Sequence, residues 1–247
     1  MLPILQVGPL AIQVPGLMLL AGVWVVVSLT DREASRYSLK PSILSNMILM
    51  GLVVGILSAR LWYAIRFFGI YLDNPLSVFS LNPTTLAPME GALTGLAAAA
   101  YYGYRKGLRL WPTLDALTPG LAAFSLAVGF AHLASGDAFG AETAVPWAIE
   151  LWGAQRHPTQ IYEVIAAGFI FWLIWEMRRK TPASGFLFLA WVALAALSRL
   201  AIEAFRGDSI IAFDSLRSAQ LGSLLVLAIA LVGMHLVARA QAQDSRS

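Results

Sequence analysis

The chain has 247 residues, of which 58% are hydrophobic and 13% are charged. Soluble domains average about 45–50% apolar and about 25% charged residues, so a water-soluble enzyme is excluded as the first expectation and lipid is indicated as the solvent. The formal net charge of +3 is too small to indicate a nucleic-acid partner. Because the chain contains no cysteine, it forms no disulfide and has no thiolate ligand or cysteine nucleophile of its own.

Seven apolar segments, bounded by Gly, Pro or charged residues, approach or reach the roughly 20 residues that a membrane-spanning helix needs. The predicted spans are 16–30, 44–66, 89–104, 116–135, 160–177, 184–205 and 219–238. They predict an all-α, polytopic membrane protein. The third and fourth spans are rich in Ala and Gly, which favours close helix packing in lipid. We expect one membrane-embedded domain over residues 1–238, followed by a polar cytoplasmic tail over 239–247.

Lysine and arginine residues are distributed unequally between the two sides of the predicted bundle. Eleven lie in the loops after spans one, three and five and in the C-terminal tail, whereas four lie on the opposite side. By the positive-inside rule, the N-terminus is predicted to be outside and the C-terminus in the cytoplasm. The outer loops are longer than two of the inner ones and carry Pro, Asn, Asp, Trp and Phe, so a reaction site is expected on the outer side.

Span six carries three ionisable residues on one helical face. Arg199, Glu203 and Arg206 follow one another at intervals of four and three residues. Ionisable side chains inside a membrane are costly and are functional candidates for that reason. Two guanidiniums around one carboxylate predict a net positive site suited to a phosphate oxyanion. The alternative is a structural Arg–Glu pair that holds two helices together, with Arg206 at the water interface.

A second polar group opens span five. Pro158 suits the first helical position, which puts His157 at the cap. Gln160 and Glu163 then lie one turn apart on one face, with Tyr162 beside them. These residues place an imidazole, an amide, a phenol and a carboxylate at the outer mouth of the bundle. The alternative is a polar helix start anchored among the lipid headgroups.

Four more polar residues lie toward the outer ends of spans. Arg60, in span two, either contacts a lipid headgroup or extends to the interface. His132 and Asp137, at the end of span four, form either an acid–base couple or an ordinary polar helix end. Gln220, at the start of span seven, hydrogen-bonds a headgroup or caps the helix. The sequence shows no His, Asp and Glu cluster that predicts a metal site.

Residues 157–163 read H-P-T-Q-I-Y-E, which closely resembles the H-P-[ST]-Q-[LI]-Y-E signature of prolipoprotein diacylglyceryl transferases. Residues 198–208 resemble the R-x-x-x-E-x-x-R segment of that family with its trailing Asp. Residues 218–223 resemble its S-x-G-Q-x-x-S run, and residues 55–63 are similar to its G-x-x-G-A-R-L-x-Y segment. The resemblance runs in order along the chain and implies the family's seven spans with an exterior N-terminus.

The chain departs from the family pattern at three places. Pro15 stands where the family has Tyr, and Glu90 stands where it has His before Gly-Gly. The signature Arg of the G-R-x-G-N-F-x-N-G segment is replaced by Gly129 or Phe130, according to a one-residue shift. His132 falls near the Asn of the same segment.

The resemblance implies transfer of the diacylglyceryl group of phosphatidylglycerol to the lipobox cysteine thiol of a prolipoprotein, in the bacterial cytoplasmic (inner) membrane and without a cofactor. The implied partners are phosphatidylglycerol, the prolipoprotein signal peptide with its lipobox cysteine, and the lipid bilayer; no nucleic acid is implied. Two alternatives stay open. One is a divergent homologue that binds phospholipid or uses another acceptor, and the other is a small transporter with the intramembrane charges as its path.

The candidate residues take two kinds of role in the implied reaction. The catalytic candidates are Arg199, Glu203, His157 and Glu90. The candidates for substrate binding are Arg60, Gln160, Tyr162, Glu163, Arg206, Gln220, Asp137 and His132. Arg199 is expected to stabilise the departing phosphate, and His157 or Glu90 to take the thiol proton.

Overall fold

The protein is built almost entirely from α-helices, as predicted. A computed structural model describes residues 3–7, 10–73, 76–77, 85–180, 183–212 and 216–244. The helices of this described part are α1 (Val14–Ala34), α2 (Pro41–Arg66), α3 (Phe68–Asp73), α4 (Pro88–Arg105), α5 (Leu110–Ser135), α6 (Thr159–Met177), α7 (Phe186–Glu203) and α8 (Ser218–Asp244). A helix is present at every predicted span, and the all-α prediction is confirmed.

Six of the helices in the described ranges are long and apolar enough to cross a membrane: α1, α2, α5, α6, α7 and α8. The predicted third span forms α4, an 18-residue helix rich in Ala, Gly and Tyr with Glu90 in its first turn. These residues make α4 less apolar than its neighbours, so six helices rather than the predicted seven meet that standard. The protein is a multi-pass membrane protein.

Small antiparallel hairpins, which were not predicted, lie between or before the helices of the described part. They pair β1 (Ile4–Val7) with β2 (Leu10–Gln13), β3 (Ile149–Leu151) with β4 (Ala154–Arg156), and β5 (Ile211–Ala212) with β6 (Leu216–Arg217). The registers set Ile4 opposite Gln13, Ile149 opposite Arg156, and Ile211 opposite Arg217. Isolated two-stranded hairpins are marginal in stability, so the helices must support them.

The chain divides into two compact units, Ala34–Thr113 and a larger unit of Met1–Glu33 with Leu114–Ser247. In the smaller unit, α2 and α4 carry small residues at every fourth position: Gly51, Gly55 and Ala59 on α2, and Gly91, Gly95 and Ala99 on α4. A Cβ added at Gly95 would lie 2.6 Å from the carbonyl oxygen of Gly51. The two helices therefore pack through small residues, as helices in lipid commonly do.

The division into one domain and a tail stays a prediction. Helix α8 continues to Asp244, so residues 239–244 of the predicted tail are helical. Residues 245–247 lie outside the described part of the chain.

In the larger unit, a buried side chain of α5 fixes the start of α7. The carboxylate of Asp115 accepts the N–H of Gly185 at 2.5 Å and the N–H of Phe188 at 2.9 Å. The first N–H groups of a helix have no partner within that helix, so Asp115 caps α7 from outside. The cap holds the helix whose far end carries Arg199 and Glu203.

A buried ion pair joins α1 to the C-terminal end of α6. Arg178 Nε lies 3.2 Å from Glu33 Oε1, and the two side chains are 5% and 7% exposed. The Arg178 guanidinium also lies over the Trp175 ring, 3.2 Å from its centroid, in a cation–π contact. These three side chains hold two helices together at the end of α6 opposite Thr159.

Candidate active site

A cavity of about 380 Å³ lies between α5, α6 and α7, within the larger unit. Its volume is in the range of small-molecule sites. The lining of α7 comes from positions 191, 195, 198, 199 and 202, so one helical face is turned to the cavity. Most of the lining is apolar. The charged or titratable side chains among the lining residues are His132, Glu163 and Arg199.

Glu163, near the start of α6, is the centre of a charged cluster at this cavity. Its Oε1 lies 2.8 Å from Arg206 Nη1 and 3.6 Å from Arg199 Nη1. Its Oε2 lies 2.7 Å from His132 Nδ1. One carboxylate thus connects side chains of α5 and α7 with the segment that follows α7. The structure pairs His132 with Glu163 and not with Asp137.

Of the three residues predicted on one face of span six, Arg199 and Glu203 lie on α7, whereas Arg206 follows the end of the helix. Arg199 Nη2 lies 3.0 Å from Glu203 Oε2, and Arg206 Nε lies 3.9 Å from the same oxygen. Glu203 Oε2 forms no hydrogen bond within the described residues, so the 3.0 Å contact is an ion pair without hydrogen-bond geometry. The Glu203 side chain is 1% exposed, whereas that of Arg199 is 41% exposed. Arg199 therefore retains surface toward the cavity.

Arg206 is buried, and each of its three guanidinium nitrogens donates a hydrogen bond. Its Nε and Nη2 donate to the two carboxylate oxygens of Asp208 at 2.8 and 2.6 Å, and its Nη1 donates to Glu163. Burial lowers the pKa of the Arg206 guanidinium, but the hydrogen bonds to Asp208 and the neighbouring carboxylate charges raise it overall above the ordinary value. Arg206 is a fixed cation that holds Glu163, which leaves it little capacity to bind a substrate.

The charge of the cluster contradicts one sequence prediction. The spacing in span six predicts two guanidiniums around one carboxylate, but the fold adds the carboxylates of Glu163 and Asp208. It also adds the guanidinium of Arg217, whose Nη1 donates to the carbonyl oxygens of Glu203 and Arg206. Three guanidiniums and three carboxylates balance in these described residues, so the predicted excess of positive charge is not found, because the added groups come from outside the helical face that was counted.

The motif that opens span five holds the loop between α5 and α6. Thr159 Oγ1 donates to the carbonyl oxygen of Ala138 at 2.6 Å, and Gln160 Nε2 donates to that of Asp137 at 3.0 Å. Both donor side chains are fully buried, whereas Asp137 is exposed. The contact of Gln160 Nε2 positions the loop, whereas its buried Oε1 has no hydrogen-bond partner among the described residues, and a role of Gln160 in substrate binding stays a prediction.

His157 and Tyr162 form a separate aromatic group outside the cavity lining. The Tyr162 hydroxyl accepts the Trp147 indole N–H at 2.7 Å and lies 3.4 Å from His157 Nδ1. The His157 ring packs against Phe205 with a centroid distance of 5.2 Å. Both residues are half-buried.

Two predicted residues belong to the smaller unit and have partners there. Arg60 donates to the carbonyl oxygens of Thr85 at 2.7 Å and Ser77 at 2.6 Å. Glu90, predicted as a possible base, forms an ion pair with Arg66. A carboxylate oxygen that contacts a guanidinium is less available to a substrate proton.

The remaining predicted residue and two missed ones complete the description. Gln220 is half-buried in the first turn of α8. Trp191 and Ser198, which lie seven residues apart on one helical face, line the cavity and were missed. Among the described residues, the buried Trp191 Nε1 has no hydrogen-bond partner, and no group of three or more His, Asp and Glu is arranged to hold a metal ion.

The two positions that could replace the missing family arginine differ in their surroundings. Gly129 lines the cavity, whereas Phe130 is 45% exposed and does not line it. A Cβ added at Gly129 would lie 3.0 Å from Val164 Cγ2. Position 129 therefore lies on the cavity wall where α5 and α6 approach closely.

Comparison with known proteins identifies the family of the chain. A family model described as prolipoprotein diacylglyceryl transferase matches residues 3–236. The chain is similar to the phosphatidylglycerol–prolipoprotein diacylglyceryl transferase of Shouchella clausii, at 30% identity over 241 residues that cover 92% of this chain and 86% of the relative. Relatives of the same name match from Streptococcus pneumoniae at 29% identity, covering 92% and 90%, and from Aliivibrio salmonicida at 32%, covering 73% and 67%. The chain belongs to the prolipoprotein diacylglyceryl transferase family.

Proposed function

We propose that this protein transfers the diacylglyceryl group of phosphatidylglycerol to the cysteine thiol of a prolipoprotein lipobox. Its relatives carry the name of this activity. In the reaction, the sulfur bonds to the glyceryl carbon that carries the phosphate. The C–O bond breaks, its electron pair leaves with the phosphate oxygen, and the thiol proton is transferred overall to the phosphate. The products are a thioether and glycerol phosphate.

The main support for this proposal is that the guanidinium of Arg199 is partly exposed and lines the cavity. Glu203 and Glu163 lie within 3.0 and 3.6 Å of its nitrogens and fix its position without covering it. A fixed guanidinium on a largely apolar wall supplies donors to an oxygen that becomes more negative as the C–O bond breaks. The apolar remainder of the cavity suits the acyl chains of a phospholipid.

The test of this proposal uses bacterial cells depleted of their own transferase. We expect the wild-type protein to restore lipoprotein modification and Arg199→Ala to fail at equal expression. Arg179→Ala is the matched control, because Arg179 is an exposed arginine just beyond the end of α6. Failure of the wild-type protein to restore modification, while phospholipid still co-purifies with it, would favour a lipid-binding homologue without this activity.

The same proposal includes the placement of the protein in the inner membrane, with its N-terminus and active site outside and its C-terminus in the cytoplasm. The eleven-to-four distribution of basic residues supports this orientation. Because the chain lacks cysteine, Glu150→Cys in β3 and Arg179→Cys beyond α6 provide single labelling sites. An impermeant maleimide added to spheroplasts should label the first and spare the second; the opposite labelling would reverse the orientation.

A further inference from the structure

The imidazole of His132 has one nitrogen in contact with a carboxylate, whereas the other has no hydrogen-bond partner in the described part of the chain. Its Nδ1 lies 2.7 Å from Glu163 Oε2. A carboxylate at this distance accepts the Nδ1 proton, so the lone pair of the neutral ring is on Nε2. None of the described residues forms a hydrogen bond with Nε2, and the side chain is 32% exposed in the cavity wall. His132 therefore has the geometry of a base toward a ligand in the cavity.

We infer that His132 is the general base that takes the proton of the substrate thiol, and that Glu163 is the positioning residue that orients its ring. This inference rests on the proposed transferase function and names a catalytic residue for it. His132 is the histidine among the cavity-lining residues. The two residues that the sequence suggested for this role have other surroundings, since His157 packs against Phe205 and Glu90 pairs with Arg66.

Glu163 also connects the base to the guanidinium that faces the same cavity. Its Oε2 contacts His132, while its Oε1 lies 3.6 Å from Arg199 Nη1. A thiol that reaches His132 Nε2 is therefore in the cavity in which Arg199 is available to a phosphate oxygen. One carboxylate holds both partners of the reaction in position, as the orienting acid does in a catalytic triad.

The charges around His132 fit proton uptake during the reaction. Glu163 faces His132 from α6, and Arg199 and Glu203 of α7 follow behind it, with Arg206 and Asp208 beyond α7. Arg217 donates to the carbonyl oxygens of Glu203 and Arg206, so three guanidiniums and three carboxylates balance in this cluster. When His132 accepts the thiol proton, the Glu163 carboxylate beside its ring faces the imidazolium while negative charge develops on the departing phosphate.

The proposed step balances without a further reactant. The S–H bond breaks as Nε2 takes the proton, and the sulfur electron pair forms the C–S bond. The C–O bond to phosphate breaks and its electron pair leaves with the oxygen. Nε2 then returns the proton to the phosphomonoester, directly or through water, and the neutral imidazole is restored.

The test measures kcat/KM for a synthetic lipobox peptide between pH 6 and 10, with the purified full chain and phosphatidylglycerol vesicles. We expect His132→Gln to lose at least about 100-fold at pH 7. The kcat/KM of this variant should then rise tenfold per pH unit up to the pKa of the free peptide thiol, about 8.5. His132→Asn, which keeps a side-chain donor for Glu163, should behave in the same way. His157→Gln should keep the pH profile of the wild-type protein.

Each other outcome has one meaning. If the wild-type protein transfers lipid and both His132 variants lose rate equally at every pH, or lose none, the inferred role of His132 is wrong while the proposed function stands. If His157→Gln alone acquires the rising profile, His157 is the base. If the folded wild-type protein transfers no lipid at any pH, the proposed function fails, and the base with it.

Discussion

Two sets of paired carboxylate and guanidinium groups in the larger unit differ in how much of their guanidinium surface stays exposed. The pair of Glu33 and Arg178 is almost fully buried, and the guanidinium lies over Trp175. The cluster around Glu163 also contains buried charges, but Arg199 is 41% exposed and lines a cavity. Ion pairing by itself therefore does not mark a functional site. We propose that the incompletely covered guanidinium of Arg199, which is fixed by its neighbours and faces a cavity, marks such a site.

The difference has an energetic reason. Burying a matched ion pair gives little net stability, but removing one partner leaves an uncompensated buried charge. Removing Arg199 is expected to cost less, because its guanidinium is partly exposed and Arg206 remains 3.9 Å from the buried Glu203 carboxylate. Stability should therefore depend on Arg178 and transfer activity on Arg199.

The largest expected effects distinguish these two arginines: substitution of Arg178 should mainly lower stability, and substitution of Arg199 should mainly lower transfer activity. Arg178→Ala should lower the free energy of unfolding by about 3–5 kcal/mol because it leaves Glu33 buried without its guanidinium. Arg199→Ala should lower it by less, because Arg206 stays 3.9 Å from the buried Glu203 carboxylate, yet reduce transfer about 100- to 1000-fold. Denaturation in detergent and transfer per folded molecule measure the two quantities. Equal losses of activity in both variants would remove the distinction.

A second substitution tests whether the cluster acts as a unit. Glu163→Gln should reduce transfer by about 100-fold or more, because it weakens the orientation of His132 and the hold on both arginines. Glu142→Gln is the matched control, since Glu142 is 70% exposed and pairs with Arg156 at 3.2 Å. The free energy of unfolding of the Glu142→Gln variant should differ from the wild-type value by less than about 0.5 kcal/mol, and its transfer activity should be unchanged. A Glu163→Gln enzyme with the control's activity would show that the cluster is only structural.

The smallest effect concerns a buried carboxylate that has no guanidinium partner. Asp115→Asn should destabilise the protein by about 1–2 kcal/mol because one of the two caps on α7 is replaced by an amide N–H group. Transfer per folded molecule should be retained, since Arg199 lies near the opposite end of α7. Thermal unfolding and the transfer assay, measured on one preparation, separate these results. A loss of transfer without a loss of stability would mean that the cap directly positions the site.

The helices and one face of the site were predictable because they depend on local periodicity. Apolar runs located the seven long helices of the described part, and a spacing of four and three residues placed Arg199, Glu203 and Arg206 together. The central position of Glu163 was not predictable, because its partners come from α5 and α7 and require the packed structure. The predicted net charge of the site was wrong for the same reason, because groups from outside the helical face contribute to it.

Motif residues show a second limit of sequence reasoning. Gln160 lies in the strongest motif of the chain, yet its side chain is buried and holds the loop carbonyl of Asp137. His132 lies in a segment that departs from the family pattern, yet it lines the cavity and contacts Glu163. A motif identifies a family, but only packing separates residues that hold the site from residues that face the ligand.

The most direct test of the proposed function is the mass of a lipobox peptide incubated with the purified protein and a phosphatidylglycerol of known acyl chains. We expect the peptide to gain one diacylglyceryl group on its cysteine, with one glycerol phosphate released for each modified peptide. An unchanged peptide mass in the presence of folded, lipid-bound protein would contradict the proposed function.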